Sequence, residues 1–474
     1  MAGWLHVRRL EAFALNSPYR ALSQTPRFVH SSSRRHVSVP TTGPVTPQLL
    51  QNTLPTRPAS SSTTLARLPT SSVLRSYLIT LMSSSPALLA LCFGILRRML
   101  ESKSYLMNVE RNPVLSSLLK STFYAQFCVG ENKNEVVTTT NTLRQLLGYD
   151  GIILEYALEV LGGTTPTAEE TAREIEVWRK GMLQSIEMAK DGDFIGLKWS
   201  GIGRHALHLL KNQQPATPEM WSAITAACDA AAAKNVCLLP GAEEEVTNPG
   251  LEAWTMELQK QYNTPERGRA TVYTTYQCYL KDISKRLAAH LAQAQEQGFI
   301  AGVKLVRGAY LASEPRELIW ETKEGTDANY DAMAEAVLER KWTPTVPAPG
   351  PDTPFPTVNV VLATHNADSV KKAQRIRANQ LLHSLPEALP RLAYAQLLGM
   401  ADEISQQLVQ DPGKQADTQA KVVKCMTWGT TSECLNFLLR RASENKEAAL
   451  RTGDTRRAMG TELWRRVKAT VGLA

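Results

Sequence analysis

Arg440 and Arg441 stand side by side in "NFLLRRASEN", residues 436 to 445, a run that otherwise has the apolar spacing of a helix. On a helix, positions 437, 440, 441 and 444 are i, i+3, i+4 and i+7 and share one face. The two arginines diverge by about 100° around the axis, so they flank the centre line of that face and can close on one small anion from two sides. A substrate carboxylate suits such a clamp. The competing interpretation is a solvated face with a Glu444–Arg440 pair, worth a few tenths of a kcal/mol.

Other residues capable of chemistry end short β-rich runs: Glu155, Lys198, Gln277, the charged members of "KLVRGAY" (304 to 310) and "ATHN" (363 to 366). Any one buried lysine or arginine is most often an ion-paired structural element. Five such strand ends together point to a functional rim. Metal chemistry is not indicated: His365 alone has the character of a core histidine, and His205 and His208 lack further ligands at a recognisable spacing. The cysteines at 92, 128, 228, 237, 278, 425 and 434 form no CxxC pair, which argues against a zinc site and a disulfide framework and for reduced thiols.

The elements that must position these residues alternate. Strand-like runs occur at "GIILEY" (151), "FIGLKWS" (194), "VCLLP" (236), "TVYTTYQ" (271), "AGVKLVRG" (301), "TVNVVLAT" (357), "LAYAQLLG" (392) and "KVVKCMTW" (421). Between them lie amphipathic helical patterns such as "AEETAREIEVWRKGMLQSIEMAK", long enough to cross over a parallel sheet. Eight such units predict an α/β protein with a (β/α)8 barrel, whose useful side chains sit at the C-terminal strand ends. A doubly wound sheet competes through the GxGxxA-like turn "SGIGRHA" (200 to 206), but no acid follows about 20 residues on, as a dinucleotide fingerprint needs. The proline-rich segment 343 to 357 is expected to be a surface insertion without chemistry.

"FYAQFCVGENKNEV", "TTYQCYLKDI", "GVKLVRGAYL", "LATHNADSV", "AQLLGMADEIS" and "FLLRRASEN" resemble, in the same order, the motifs of the fungal mitochondrial proline dehydrogenase (proline oxidase) family. The resemblance runs from about residue 70 to 460. It implies a distorted (β/α)8 barrel that holds FAD without a Rossmann turn. The implied reaction oxidises L-proline to 1-pyrroline-5-carboxylate, moves a hydride from C5 to flavin N5 and passes electrons to a quinone. It gives Arg440 and Arg441 the substrate carboxylate, Lys198 the role of third carboxylate partner and Tyr310 that of packing on the ring. Glu444, on the same helix face, joins the catalytic set. For the flavin it implies Gln277, Val306, Arg307, Gly308, Thr364, His365 and Asn366, with Lys323 reaching the phosphates. Lys304 stands where the family usually has an arginine near N5, and lysine keeps the charge but loses the fork.

Three positions depart from the family pattern. Gly241 stands for an aspartate, Cys425 for a tyrosine and Phe437 for a tyrosine. Each change removes a polar group from the rim. The loss of the tyrosine at 425 opens space beside the ring carbon that would carry a hydroxyl, and the hydroxyproline branch likewise has a small residue there. A 4-hydroxyproline dehydrogenase is therefore one alternative, and a non-catalytic flavin-binding paralogue is another.

With 474 residues, 43% of them hydrophobic, the chain can bury one large core or two ordinary ones. Its net charge of +8 is concentrated at the N-terminus, where residues 1–40 hold arginines 8, 9, 20, 27, 34 and 35 and Glu11 as their one acid. That is the pattern of a mitochondrial targeting peptide, and the near-neutral remainder gives no reason to expect nucleic acid as a partner. Residues 41–69 read as a Pro/Ser/Thr-rich linker, 70–140 as an N-terminal helical arm and 141–474 as the FAD-binding domain. Within the arm, residues 76 to 100 are apolar but broken at Ser83 to Pro86. Neither half reaches the roughly 20 apolar residues of a span, so the arm is expected to pack on the body or lie on a bilayer surface. The expected location is mitochondrial, in the matrix or at the inner membrane.

Overall fold

A computed structural model describes residues 64–444 and 452–472, apart from 103, 159 and 161. The expected targeting peptide and most of the linker lie outside the described residues. The strands are β1 Gly151–Tyr156, β2 Phe194–Leu197, β3 Cys237–Pro240, β4 Thr274–Gln277, β5 Ala301–Val306, β6 Val358–Ala363, β7 Leu392–Leu397 and β8 Ala420–Trp428. Seven fall within their expected runs, and β8 begins one residue before the run at 421.

All pairings are parallel, in the order β3-β2-β1-β8-β7-β6-β5-β4. The two ends of this order meet at a single bridge, Leu238 to Val272. There Leu238 N–H donates to the Thr271 carbonyl at 2.7 Å and Tyr273 N–H to the Leu238 carbonyl at 3.0 Å. The sheet thus closes into a barrel with one thin seam, and the predicted fold class is borne out.

Alternation along the strands sorts side chains between two cores. Ile153, Phe194, Cys237, Leu239, Tyr273, Val361, Ala393, Ala395 and Val423 fill the barrel interior. Leu154, Ile195, Leu238, Val303, Leu362 and Val422 point outward against the helices. Continuing the inward parity toward the C-terminal ends brings Glu155, Gln277, Lys304, Ala363 and Cys425 to the mouth. Ala363 and Cys425 pack against the interior cluster from that side.

Two helices precede the barrel, α1 Thr70–Ser83 and α2 Pro86–Glu101, bent by 107° at the break that Ser84, Ser85 and Pro86 impose. No single helix among the described residues is long and apolar enough to cross a membrane. Leu65 and Leu68, at the end of the stretch expected to be linker, are buried in the main core. The crossover helices that matter for the site are α3 Ala168–Met188, α4 Lys323–Glu339 and α5 Ala367–Leu381. After β8 comes α6 Thr431–Glu444, which packs Leu435 and Leu439 against Leu96, Met99 and Leu119 of the arm. The arm therefore braces the helix that carries both arginines. The final helix, α7 Gly453–Thr470, is tied to the start of the arm by Arg466, which donates to the Thr70 hydroxyl at 2.7 Å and to the Leu68 carbonyl just before it at 2.8 Å.

Candidate active site

The mouth holds two groups of residues, one on each side of the loop that follows β5. On the first side the Tyr310 hydroxyl accepts from Lys198 Nζ at 3.2 Å and from Arg441 Nη1 at 3.4 Å. Both cations also lie 5.8 Å from the Tyr310 ring centroid, and Arg441 Cζ lies 5.7 Å from the Phe437 ring. The β2 end, the β5 loop and α6 thus converge on one point. Tyr310 is 6% exposed, so the two cations are gathered beside a low-dielectric wall, where attraction for an anion is strengthened.

The local sequence explains this convergence. Gly308 takes φ +137°, and a Cβ there would meet the Tyr279 ring at 2.3 Å, so only glycine lets the loop turn so closely past it. Gln277 fixes the same loop, accepting from Ala309 N–H at 3.3 Å while its amide donates to the Glu243 carbonyl at 2.9 Å. Glu243 in turn accepts from Ser200 N–H at 3.2 Å. One strand-end glutamine thereby locks three loops together.

On the second side, Arg307 donates to Asp327 at 2.7 Å and to Ser369 at 2.8 Å, hydrogen-bonds Thr364 and stacks 4.4 Å above Tyr330. Lys323 pairs with the same Asp327, and Asn366 Nδ2 approaches it at 3.4 Å. Partial burial of Asp327 opposes ionisation, but hydrogen bonds from Lys323 and Arg307 prevail and hold its carboxyl below the usual range. The first turns of α4 and α5, capped by Thr322 and Asn366, open here. His365 is exposed beside them, and its Nε2 accepts the Leu397 N–H at 3.1 Å.

The expected site residues thus fall into place unevenly. Lys198, Tyr310 and Arg441 touch. Arg307, Lys323, Thr364 and Asn366 form one network through Asp327, Gln277 and Gly308 shape the loop after β5, Val306 ends β5, and His365 follows Thr364. Lys304 lies on the inward face of β5, paired in register with Thr275 and Val361. Arg440 is half-buried on α6, and the side chain of Glu444 lies outside the described residues. Asp327, Ser369 and Glu243 had no place in the expected site. The sole hint of Asp327 was its i+4 spacing from Lys323.

"SGIGRHA" has a structural explanation. Gly203 sits at φ +153°, where a Cβ would lie 2.5 Å from Glu174 Oε2, and that carboxylate accepts the Arg204 N–H at 2.8 Å and the Arg204 guanidinium at 2.6 Å. The helix N-terminus that a phosphate would need is already filled by α3. Among the described residues, no group of three His, Cys, Asp or Glu can hold a metal ion.

The residues at the mouth suit a group that carries phosphates and a planar ring. Two cations and two helix N-termini offer charge and N–H groups to phosphates, while small inward side chains, Ala363 and Cys425, leave room at the strand ends for a planar ring.

Comparison with known proteins agrees with this architecture. A solved structure of proline utilization A (PutA) from Bdellovibrio bacteriovorus superimposes with a TM-score of 0.56 at 16% identity, over 81% of this chain and 41% of that one. The probable mitochondrial proline dehydrogenase of Schizosaccharomyces pombe is 32% identical over 255 residues, 52% of this chain and 50% of that protein. This chain therefore matches about half the length of that relative. Mouse hydroxyproline dehydrogenase is 28% identical over 405 residues, 74% of this chain and 83% of that protein. The proline dehydrogenase family model matches residues 144–453, which take in every barrel strand and both groups of mouth residues, and the chain belongs to that family.

Proposed function

We propose that this protein is a mitochondrial FAD-dependent proline dehydrogenase that converts L-proline to 1-pyrroline-5-carboxylate and hands the electrons to a quinone. The observation that carries the reading is the joining of Lys198 and Arg441 on the Tyr310 hydroxyl at the barrel mouth. Two cations held on one acceptor are poised for a carboxylate. Arg440, on the same helix, closes the clamp from its other flank. Tyr310 presents its ring to the substrate and fixes the depth to which the carboxylate enters. Partial withdrawal from water strengthens these contacts and limits the substrate to a compact ring.

Gln277, Lys304, Val306, Arg307, Gly308, Lys323, Thr364, His365 and Asn366 would hold the FAD, with Arg307 and Lys323 at the phosphates and Lys304 beneath the ring. When bound, the flavin accepts the hydride from C5. What the chain supplies is orientation: the carboxylate clamp and Tyr310 hold C5 toward the ring.

A second reading, oxidation of 4-hydroxyproline, is favoured by a specific feature. Cys425 leaves space at the mouth, and the hydroxyproline dehydrogenase of mouse aligns with most of this chain. A hydroxyl that a site merely admits changes selectivity modestly, whereas one it must bind changes it by orders of magnitude. L-proline is the first substrate proposed, with discrimination relaxed by Cys425.

The names of the yeast, human and Arabidopsis relatives place those proteins in the mitochondrion. That supports residues 1–40 as a targeting peptide. Exposed leucines 74, 78 and 81 of α1 and 88 and 91 of α2 support peripheral contact with the inner membrane.

The test is anaerobic reduction of the bound flavin by L-proline compared with trans-4-hydroxy-L-proline. Bleaching by L-proline is expected. Bleaching by hydroxyproline alone would reverse the ranking, and bleaching by neither would identify a non-catalytic paralogue.

A further inference from the structure

We infer that the floor of the barrel, the end opposite the mouth, is a binding site for a small tetrahedral oxyanion of the inorganic phosphate class, held between Arg269, Arg391 and Lys421. The inference stands apart from the proposed reaction, which belongs to the other end of the strands.

Strand parity builds the site. Continuing the inward faces of β3, β7 and β8 toward their N-terminal ends brings Cys237, Arg391 and Lys421 to the floor, and the segment entering β4 adds Arg269 and Tyr273. These five line a cavity of about 50 Å³. One water needs about 10 to 15 Å³ of such space, so the cavity offers roughly four oxygen-sized positions. Phosphate or sulfate fits there and a nucleotide does not.

The three cations meet only neutral acceptors in this cavity, and none of the described residues that line it is acidic. Arg269 donates to the Asn235 carbonyl at 2.7 Å and to Cys237 Sγ at 3.0 Å, and Lys421 donates to the Gly192 carbonyl at 3.0 Å. Burial raises the Cys237 thiol and keeps it neutral. The two carboxylates nearby are engaged elsewhere. Asp193 accepts from Arg144 at 2.5 Å and from the N–H groups of Ile152 at 3.1 Å and Lys190 at 2.7 Å, while Asp191 accepts from Asn235. Burial, then the Arg269 charge, hold the Lys421 ammonium below its usual range against the pull of Asp193. Cations gathered in a half-buried cavity repel one another, and charges so placed are as a rule paired. A single oxyanion supplies acceptors to all three. Arg269, through its bond to Asn235, also crosses the thin β3–β4 seam at the Leu238 to Val272 bridge. An oxyanion shared with Arg391 and Lys421 ties that seam to β7 and β8, so its binding should stabilise the folded barrel.

Thermal unfolding of the full flavin-loaded protein, titrated with inorganic phosphate at constant ionic strength, tests this. Tm is expected to rise by about 2 °C or more between about 1 and about 50 mM phosphate, and chloride in place of phosphate should give no such rise. Arg391→Ala and Lys421→Met should each remove the phosphate response while keeping the wild-type flavin content. A flat titration of the wild type would overturn the inference. So would an unchanged response in Arg391→Ala, which would assign the rise to phosphate bound elsewhere or to its exclusion from the protein surface. Should Lys421→Met fail to fold, Arg391→Ala decides, because Arg391 is exposed.

Discussion

Lys198 Nζ donates to the Tyr310 hydroxyl at 3.2 Å across 112 residues of sequence, and the same oxygen accepts from Arg441. A phenol that accepts from two cations keeps both in place without neutralising either. An arriving carboxylate meets charges already gathered and is not required to order them, which limits the entropy lost on binding.

Arg441→Met is therefore expected to raise KM for L-proline tenfold or more while flavin content is retained. Charge-assisted hydrogen bonds are worth roughly 1.5 to 3 kcal/mol each, and every 1.4 kcal/mol is a factor of about ten. Arg441 touches Tyr310 and Phe437. Initial-rate kinetics alongside the flavin-to-protein absorbance ratio check this, and an unchanged KM would remove Arg441 from the clamp.

Asp327 anchors Arg307 and Lys323 together. Asp327→Asn is expected to release both cations from their common partner and to lower flavin retention during gel filtration several-fold. A variant that keeps wild-type flavin content would show that the Ser369 and Tyr330 contacts suffice to fix Arg307.

Much of this molecule was legible in its sequence because barrels impose local rules. Eight β-rich runs, each followed by a helix, leave few arrangements, and strand parity then places Lys304 and Gln277 at the mouth. Helical spacing put Arg440 and Arg441 on one helix face, but it left a solvated pair equally open, and only the resemblance assigned them a carboxylate. Asp327 was not, because its role depends on α4 starting close enough to α5 for one carboxylate to reach Arg307, Lys323 and Asn366. Glu155 was visible as a strand-end charge, but its link to Cys425 lies 270 residues away in sequence and arises from barrel closure through β8. Leu65 and Leu68 sit at the end of a stretch whose Pro/Ser/Thr composition reads as linker, yet two leucines suffice to dock its end on the core.

A buried pair predicts how stability changes with pH. Glu252 and His290 lie 3.9 Å apart, and Arg286 donates to Glu252 at 3.0 Å. Burial outweighs Arg286 and raises the Glu252 carboxyl to about 7, while burial and then Arg286 push His290 down to about 4. Between pH 4.5 and 7 the folded Glu252 binds more protons than the unfolded one, so its contribution grows as pH falls. The folded His290 binds fewer protons than the unfolded one between pH 4 and 6.5, so its contribution is lost as pH falls. In the wild type the two oppose each other. Glu252→Gln leaves only the histidine effect, and the variant should lose on the order of 2 kcal/mol more than wild type between pH 7 and 5. Urea unfolding at both pH values measures the difference, and parallel pH profiles would refute it.

Gly241→Asp tests whether the missing acid limits the enzyme. The position accepts a side chain: Gly241 is not among the residues with positive φ, and an added Cβ meets nothing nearer than the Leu197 carbonyl at 3.5 Å. The new carboxylate would lie along Lys198, whose Cγ is 4.0 Å from that Cβ. Two effects oppose each other. A second negative charge near the clamp repels the substrate carboxylate, while an ion pair with Lys198 fixes the ammonium in one orientation. Arg440 and Arg441 still outnumber one added acid, so the orienting effect should prevail. A partly solvated pair is worth up to about 1 kcal/mol, so kcat/KM for L-proline is expected to rise about two- to fivefold. The gain should appear in kcat as well as KM, because a fixed lysine positions the ring and does more than attract it. A fall in kcat/KM would show that repulsion dominates, and no change would mean that the Tyr310 hydroxyl already orients Lys198 fully.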